Sequence, residues 1–160
     1  MKNPSEIISS LNLQPHPEGG WYLETYRSKD VFIGMKDFPE GRHFCTAIYF
    51  LITADSFSAL HRIKSDETWH FYDGNPFEVI EINNQGILTS TVLGRGLYQY
   101  TVPAGNWFGS RVLEGGEWSL VGCTVSPGFD FRDFELANRH SMLKEFPGHK
   151  AIINELTRDK

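Results

Sequence analysis

From Phe57 to Val125 the chain follows one pattern, without being an internal repeat. A short stretch rich in aromatic and β-branched residues is followed by Gly, Pro or Asn, and then by another such stretch. The expected strands are Phe57 to Ile63, Phe77 to Ile82, Ile87 to Leu93, Tyr98 to Val102, Trp107 to Leu113 and Trp118 to Val125. Asn75-Pro76, Asn83 to Gly86, Pro103 to Gly105 and Glu114 to Glu117 supply turns, the second and last reading as hairpins. Short strands punctuated at this spacing predict an all-β sandwich or barrel. The 12 Phe and 15 Gly suit that class better than a helical one.

The flanks extend the pattern. Asn3-Pro-Ser-Glu6 is a helix start, with Asn3 as cap, Pro4 in the first turn and Glu6 able to reach back. Pro15-His-Pro-Glu-Gly-Gly20 is a defined turn. Trp21 to Ser28 reads as a strand with Trp21, Leu23, Thr25 and Arg27 on one face and Tyr22, Glu24 and Tyr26 on the other. Aromatic residues on both faces point to a subunit interface on one side. Lys29 to Gly41 is a loop long enough to be a lid but reads first as an ordinary variable loop, and His43 to Thr53 reads as a central strand buried on both faces. Arg139 to Leu156 has helical spacing broken at Pro147-Gly148. The whole chain, 1–160, reads as one domain.

Charge narrows the partners. A net charge of −5 leaves no basic footprint for nucleic acid. No apolar run reaches membrane-spanning length, and the first residues lack a signal-peptide pattern, so a cytoplasmic protein is expected. Cys45 and Cys123 lie in apolar runs and read as buried reduced thiols.

The chemistry concentrates in His61-Arg-Ile-Lys-Ser-Asp-Glu67-Thr-Trp-His70-Phe-Tyr-Asp-Gly74. Strand alternation after the turn puts Glu67, Trp69 and Phe71 on one face, and Thr68, His70 and Tyr72 on the other. A carboxylate between Trp and Phe on an inward face needs a partner, and His61 is the nearest candidate. Such a pair brings a titratable group near working pH and suits proton transfer; it equally suits a buried structural hydrogen bond. Tyr49, Trp69, Trp107 and Phe108 are candidates to line a pocket for a sugar, a nucleobase or a flat apolar ligand. His16 and Glu18 could reach the pocket mouth, although a shaped turn with positive-φ glycines explains their stretch by itself. Arg27 could grip an anionic group by its fork or form a surface pair. Asp130, Asp133 and Glu135 could hold a hard cation or form a solvated loop.

His61, Glu67 and Gly74 fall at the offsets of the first cupin motif, and Pro103-Ala-Gly105 matches the start of the second. With Pro15-His-Pro-Glu-Gly-Gly20, Leu120-Val-Gly-Cys-Thr-Val125 and Pro127-Gly-Phe-Asp-Phe131, the chain resembles the small cupin-5 family over nearly its whole length. The resemblance implies a jelly-roll β-sandwich, usually dimeric, with short helices at the two ends, and it fixes no reaction. Metal-binding cupins use three His and one Glu. Here the second and last ligand positions are Ile63 and Phe108, so a divalent metal would find only His61 and Glu67, and no cofactor is expected.

Three functions follow from this. In a metal-free isomerase or epimerase acting on a carbohydrate- or nucleotide-like ligand, His61 is the base, Glu67 orients it, and Tyr49 or Tyr72 donates. A non-catalytic small-molecule binding module uses the same pocket. A metal-dependent cupin enzyme is disfavoured by the missing histidines.

Overall fold

The structure, a computed structural model, describes residues 3–158. Helix α1, Pro4–Ser10, opens with the expected capping box: the Asn3 side chain accepts from the Ser5 amide, and Glu6 reaches back to the Asn3 amide. The strands are β1 Gln14–Pro15, β2 Trp21–Arg27, β3 Val31–Phe32, β4 Arg42–His43, β5 Thr46–Thr53, β6 Ser58–Arg62 and β7 Asp66–Gly74. They continue as β8 Phe77–Ile82, β9 Leu88–Leu93, β10 Gln99–Val102, β11 Trp107–Val112, β12 Trp118–Ser126 and β13 Glu135–Leu136. Helices α2, Arg139–Glu145, and α3, Lys150–Glu155, are separated by a tight turn at Pro147–His149, where the sequence breaks the helical spacing.

Two antiparallel sheets face each other as a jelly roll. One has the order β1-β2-β5-β12-β7-β10, the other β13-β6-β11-β8-β9. Their inner faces share one core, in which Phe50, Ile52, Trp69, Phe77, Val79, Phe108 and Val121 are sealed from solvent. The outer face of the second sheet is covered by α2 and α3 through Leu60, Ile80, Ile82, Trp107, Met142 and Ile153. One end of the first sheet's outer face is covered by α1, with Ile7, Leu13, Leu51 and Trp118 buried there.

Two expectations are corrected here. Glu114 to Glu117 is not a hairpin. It joins β11, which pairs with β6 and β8, to β12, which pairs with β5 and β7, so the chain crosses from one sheet to the other. The face assignment of β2 also changes partway along. Its register with β5 shifts between Glu24 and Tyr26, and this bulge carries Arg27 to the side shared by Tyr22 and Glu24. Asn83 to Gly86 is a hairpin as expected, joining β8 to β9.

Candidate functional site

One end of the barrel is packed solid with aromatic side chains. The other end holds a cavity of about 500 Å³. Its inner wall is built from His16, Glu18, His61, Glu67 and Cys123, and its mouth from Tyr22, Glu24, Arg27, His43, Phe129 and Phe131.

Glu18 is the centre of the inner wall. It sits in the turn after β1, where Gly19 and Gly20 take φ of 110° and 74°. Gly20 has no room for a Cβ, which would lie 2.8 Å from the Leu51 carbonyl oxygen. The turn presses the Glu18 side chain against β6. Oε1 accepts from the Ser58 hydroxyl at 2.8 Å, and Oε2 lies 3.1 Å from His61 Nε2.

That double contact depends on a bulge. Phe108 and Ser110 of β11 oppose His61 and Ser58 of β6, so β6 carries one extra residue. Regular alternation would send Ser58 and His61, three apart, to opposite faces; the bulge turns both inward. Gly109 lies beneath it. A Cβ there would stand 2.7 Å from the Ser58 carbonyl oxygen. An isolated glycine inside a strand pattern is the sequence signal for such a feature.

The hydrogen bonds fix the protons. Ala59 O can only accept, and it lies 2.7 Å from His61 Nδ1, so Nδ1 carries hydrogen. Burial holds the His61 imidazole down at about 4, so it is neutral at pH 7 and Nε2 is a lone pair. A neutral pair across the 3.1 Å contact has its proton on the facing Glu18 oxygen. Burial does push the Glu18 carboxyl above its usual range, against the opposing effects of His16, Ser58 and Arg158. Burial thus disfavours the charged form of both partners, and the pair shares one proton across their contact. His16 is neutral as well: its Nδ1 accepts the Glu18 amide at 3.2 Å, and burial lowers its pKa.

Glu67 projects from β7 of the first sheet and faces this pair across the cavity. Burial first, and the Glu18 carboxyl second, raise its pKa to about 8, with the Cys123 thiol acting in the opposite direction. Glu67 and Cys123 lie diagonally on neighbouring strands, since Val125 pairs with Glu67 and Cys123 with Trp69. Cys123 is a protonated, inert thiol, its pKa raised by burial and then by the two carboxyls. Cys123 is buried and Cys45 half-buried, both free.

The expected pairing of His61 with Glu67 is thus corrected: the partner of His61 is Glu18. The five candidates His16, Glu18, Arg27, His61 and Glu67 come together around one cavity. The aromatic candidates do not line it. Trp69 and Phe108 are fully buried in the core, with Phe108 packed behind His61 at a ring separation of 4.1 Å. Trp107 faces the C-terminal helices, under Arg62. Tyr49 belongs to the outer α1 cluster and packs edge-on to the half-exposed Tyr72, so neither hydroxyl serves the barrel. The residues that sequence reasoning missed are Ser58, the mouth rings Phe129 and Phe131, and Tyr22, which meets His16 at 4.6 Å.

Arg27 stands at the mouth, bound through its fork to Glu24 at 2.6 and 2.8 Å and to the Phe129 carbonyl at 3.0 Å. The acidic residues at the mouth and beyond it are tied to arginines: Asp130, which lines the cavity, to Arg132, Asp133 to Arg42, and Glu135 to Arg62. The loop from 29 to 41 contributes nothing to the cavity wall. It carries β3 and is anchored by the buried Phe38 and by Glu40, which pairs with Arg132.

A metal of the cupin type does not fit these residues. Two of its four ligand positions are hydrocarbon, Ile63 and Phe108, both buried in the core. The remaining imidazole has Nδ1 on Ala59 and Nε2 on Glu18. Among the described residues no group of three or more His, Cys, Asp or Glu is arranged to hold a metal ion. None of the described helices is long and apolar enough to cross a membrane.

A jelly roll of two antiparallel sheets, with polar side chains gathered at one end between them, defines a cupin. The chain belongs to that superfamily: residues 5–137 match the family described as Cupin superfamily (DUF985). Relatives span nearly all of it. A hypothetical protein from Leishmania major is 37% identical, covers 99% of this chain and 100% of its own, and superposes with a TM-score of 0.91. A protein from Shewanella oneidensis is 38% identical over 100% of both chains, also at 0.91. An uncharacterised protein of Saccharomyces cerevisiae, YML079W, is 26% identical over 89% of this chain and 79% of its own. Oxalate decarboxylase from Bacillus subtilis, at 15% identity and a TM-score of 0.58, shares the fold over 91% of this chain and 37% of that one.

Proposed function

We propose that the protein holds a small carbohydrate- or nucleotide-like molecule in the barrel cavity and moves a proton on it, as an isomerase or epimerase does. Glu18, backed by His61, and Glu67 are the exchanging groups. The observation that carries this reading is the convergence of two buried carboxyls on one cavity, one held against each sheet. Two acids whose neutral forms burial favours are what proton transfer near pH 7 needs.

The chemistry balances without a cofactor. The substrate presents a carbon–hydrogen bond next to a carbonyl. Glu18 Oε1, which accepts from Ser58, has a second lone pair and takes the carbon-bound proton. The proton resting on Oε2 passes to His61 Nε2, so an imidazolium forms as the enolate forms, and the two charges compensate. Glu67, on the opposite wall, then gives its proton to the other face of the carbon, inverting it. Solvent exchange restores the three groups. His61 is thus the proton reservoir behind the base; the group that meets the substrate is Glu18.

The test is deuterium uptake. The protein is incubated in D2O with a panel of nucleotide sugars and keto sugars, and exchange of the α-hydrogen is followed by NMR. Uptake that falls by a factor of about 10² or more in Glu18→Gln and in Glu67→Gln is expected. No uptake from any panel member, or full uptake in Glu18→Gln, would overturn the reading. An organic mass that co-purifies unchanged would instead favour a binding module.

A further inference from the structure

We infer that Arg158, from the segment after α3, is the positioning residue that fixes Glu18 for proton transfer. This rests on the reading of Glu18 given above. The guanidinium makes two forked contacts. Nη1 donates to the Glu18 main-chain oxygen at 2.5 Å, and Nη2 donates to the Phe57 carbonyl at 3.0 Å. Its Cζ lies 4.2 Å from the centre of the Phe57 ring. One side chain thus clamps the turn that carries Glu18 to the residue just before β6, the strand that supplies Ser58 and His61.

The surroundings are built to admit it. The Glu18 oxygen also accepts the Ala59 amide at 2.8 Å, so two donors converge on one carbonyl. Gly19, at φ 110°, leaves the space: a Cβ there would stand 2.4 Å from Arg158 Nη2. The segment that delivers Arg158 is itself anchored to β6, because the Leu60 amide donates to the Leu156 carbonyl at 2.8 Å. Both guanidinium contacts go to neutral carbonyls, and its charge joins His16 and Ser58, as the smallest of the three effects, in lowering the Glu18 pKa against burial. The residue therefore does two things. It holds the Glu18 backbone at β6, and its charge lowers the Glu18 pKa against the larger effect of burial.

Glutamate-labelled protein tests this without a substrate. In Arg158→Gln the Glu18 carboxyl resonance should titrate at higher pH than in the parent. The Ala59 amide should exchange with solvent about tenfold faster, the consequence of losing a charge-assisted hydrogen bond at its acceptor. Arg158→Lys should restore the titration, because the charge is kept, but leave the exchange fast, because the fork is lost. A residue that only stabilised the fold would move the melting temperature and leave the Glu18 titration in place. An unchanged titration together with an unchanged Ala59 amide in Arg158→Gln overturns the inference. If Arg158→Gln does not fold, Arg158→Lys alone decides, since parental exchange at Ala59 would be fatal. These readouts are independent of turnover: absence of deuterium uptake would refute the proposed function and leave them standing.

Discussion

Replacing Glu67 by Gln should make the protein more stable, by an amount that grows with pH. The carboxyl is raised from 4.5 to about 8, chiefly by burial, and Gln has nearly the same shape with no charge to form. In the unfolded chain the carboxyl ionises at its ordinary value. Between the two values the folded protein therefore holds one proton more than the unfolded chain. The contribution is fully present below 4.5 and is lost as pH rises toward 8, at about 1.4 kcal/mol per pH unit. From pH 5 to pH 7 that amounts to about 3 kcal/mol, a large share of the roughly 5–15 kcal/mol that holds a domain together. Urea unfolding of both proteins at half-unit pH steps measures it, provided the two have equal denaturant slopes. His61 and Glu18 are present in both, so most of their own titration cancels in the difference. The expected result is a Glu67→Gln advantage that climbs steadily between pH 5 and pH 8. An advantage that stays flat would mean that Glu67 is ionised at neutral pH, and the neutral-acid role assigned to it would fall.

Two further substitutions probe what holds the site in place. Gly109→Ala should push the β6 bulge outward, cost about 1–3 kcal/mol in thermal unfolding and separate Ser58 and His61 from Glu18; parental stability with an unshifted His61 NMR signal would count against the bulge. Asp133→Ala should strand the Arg42 guanidinium, buried and bound to it at 2.7 and 2.9 Å, at a cost of about 3 kcal/mol; a loss of under about 0.5 kcal/mol would place the pair with ordinary surface contacts.

Much of the scaffold was legible because it depends on local pattern. Alternation between Glu67 and Phe71 placed Glu67 and Trp69 on the inward face, and both are buried there. The helix start at Asn3 and the helix break at Pro147-Gly148 follow from capping and from proline geometry, which act over a few residues. What escaped depends on partners distant in sequence. Glu114 to Glu117 has the composition of a hairpin, yet its flanking strands belong to different sheets, and composition does not encode which strands pair. The two bulges have the same effect on side-chain direction. Each inserts one residue, which reverses the faces beyond it; that is how Arg27 reaches the cavity, and how Ser58 and His61 share a wall. The pairing of His61 with Glu18 was hidden for a further reason. Prolines and glycines explain Pro15 to Gly20 as a turn, and the structure shows that the turn and the site are the same object, the turn being what aims Glu18.

The two ends of the barrel state the case for function most directly. Both lie between the same two sheets and are lined by the same strands. One is filled with Phe50, Trp69, Phe77 and Phe108, the low-cost solution for an interior. At the other, His61 and Glu67 occupy the same strands as Ala59 and Trp69 but carry ionisable groups held in neutral forms, and an open volume remains beside them. Hydrocarbon there would bury more apolar surface, close the cavity and remove the pH penalty computed above for Glu67. A purely structural network would also be expected to close on itself. Glu18, Ser58 and His61 nearly do, but Glu67 stands opposite them with only a weakly bonding thiol at its side and a cavity in front. Both carboxyls line the unfilled space, and in the proposed reaction a substrate held there would give Glu67 a further polar partner.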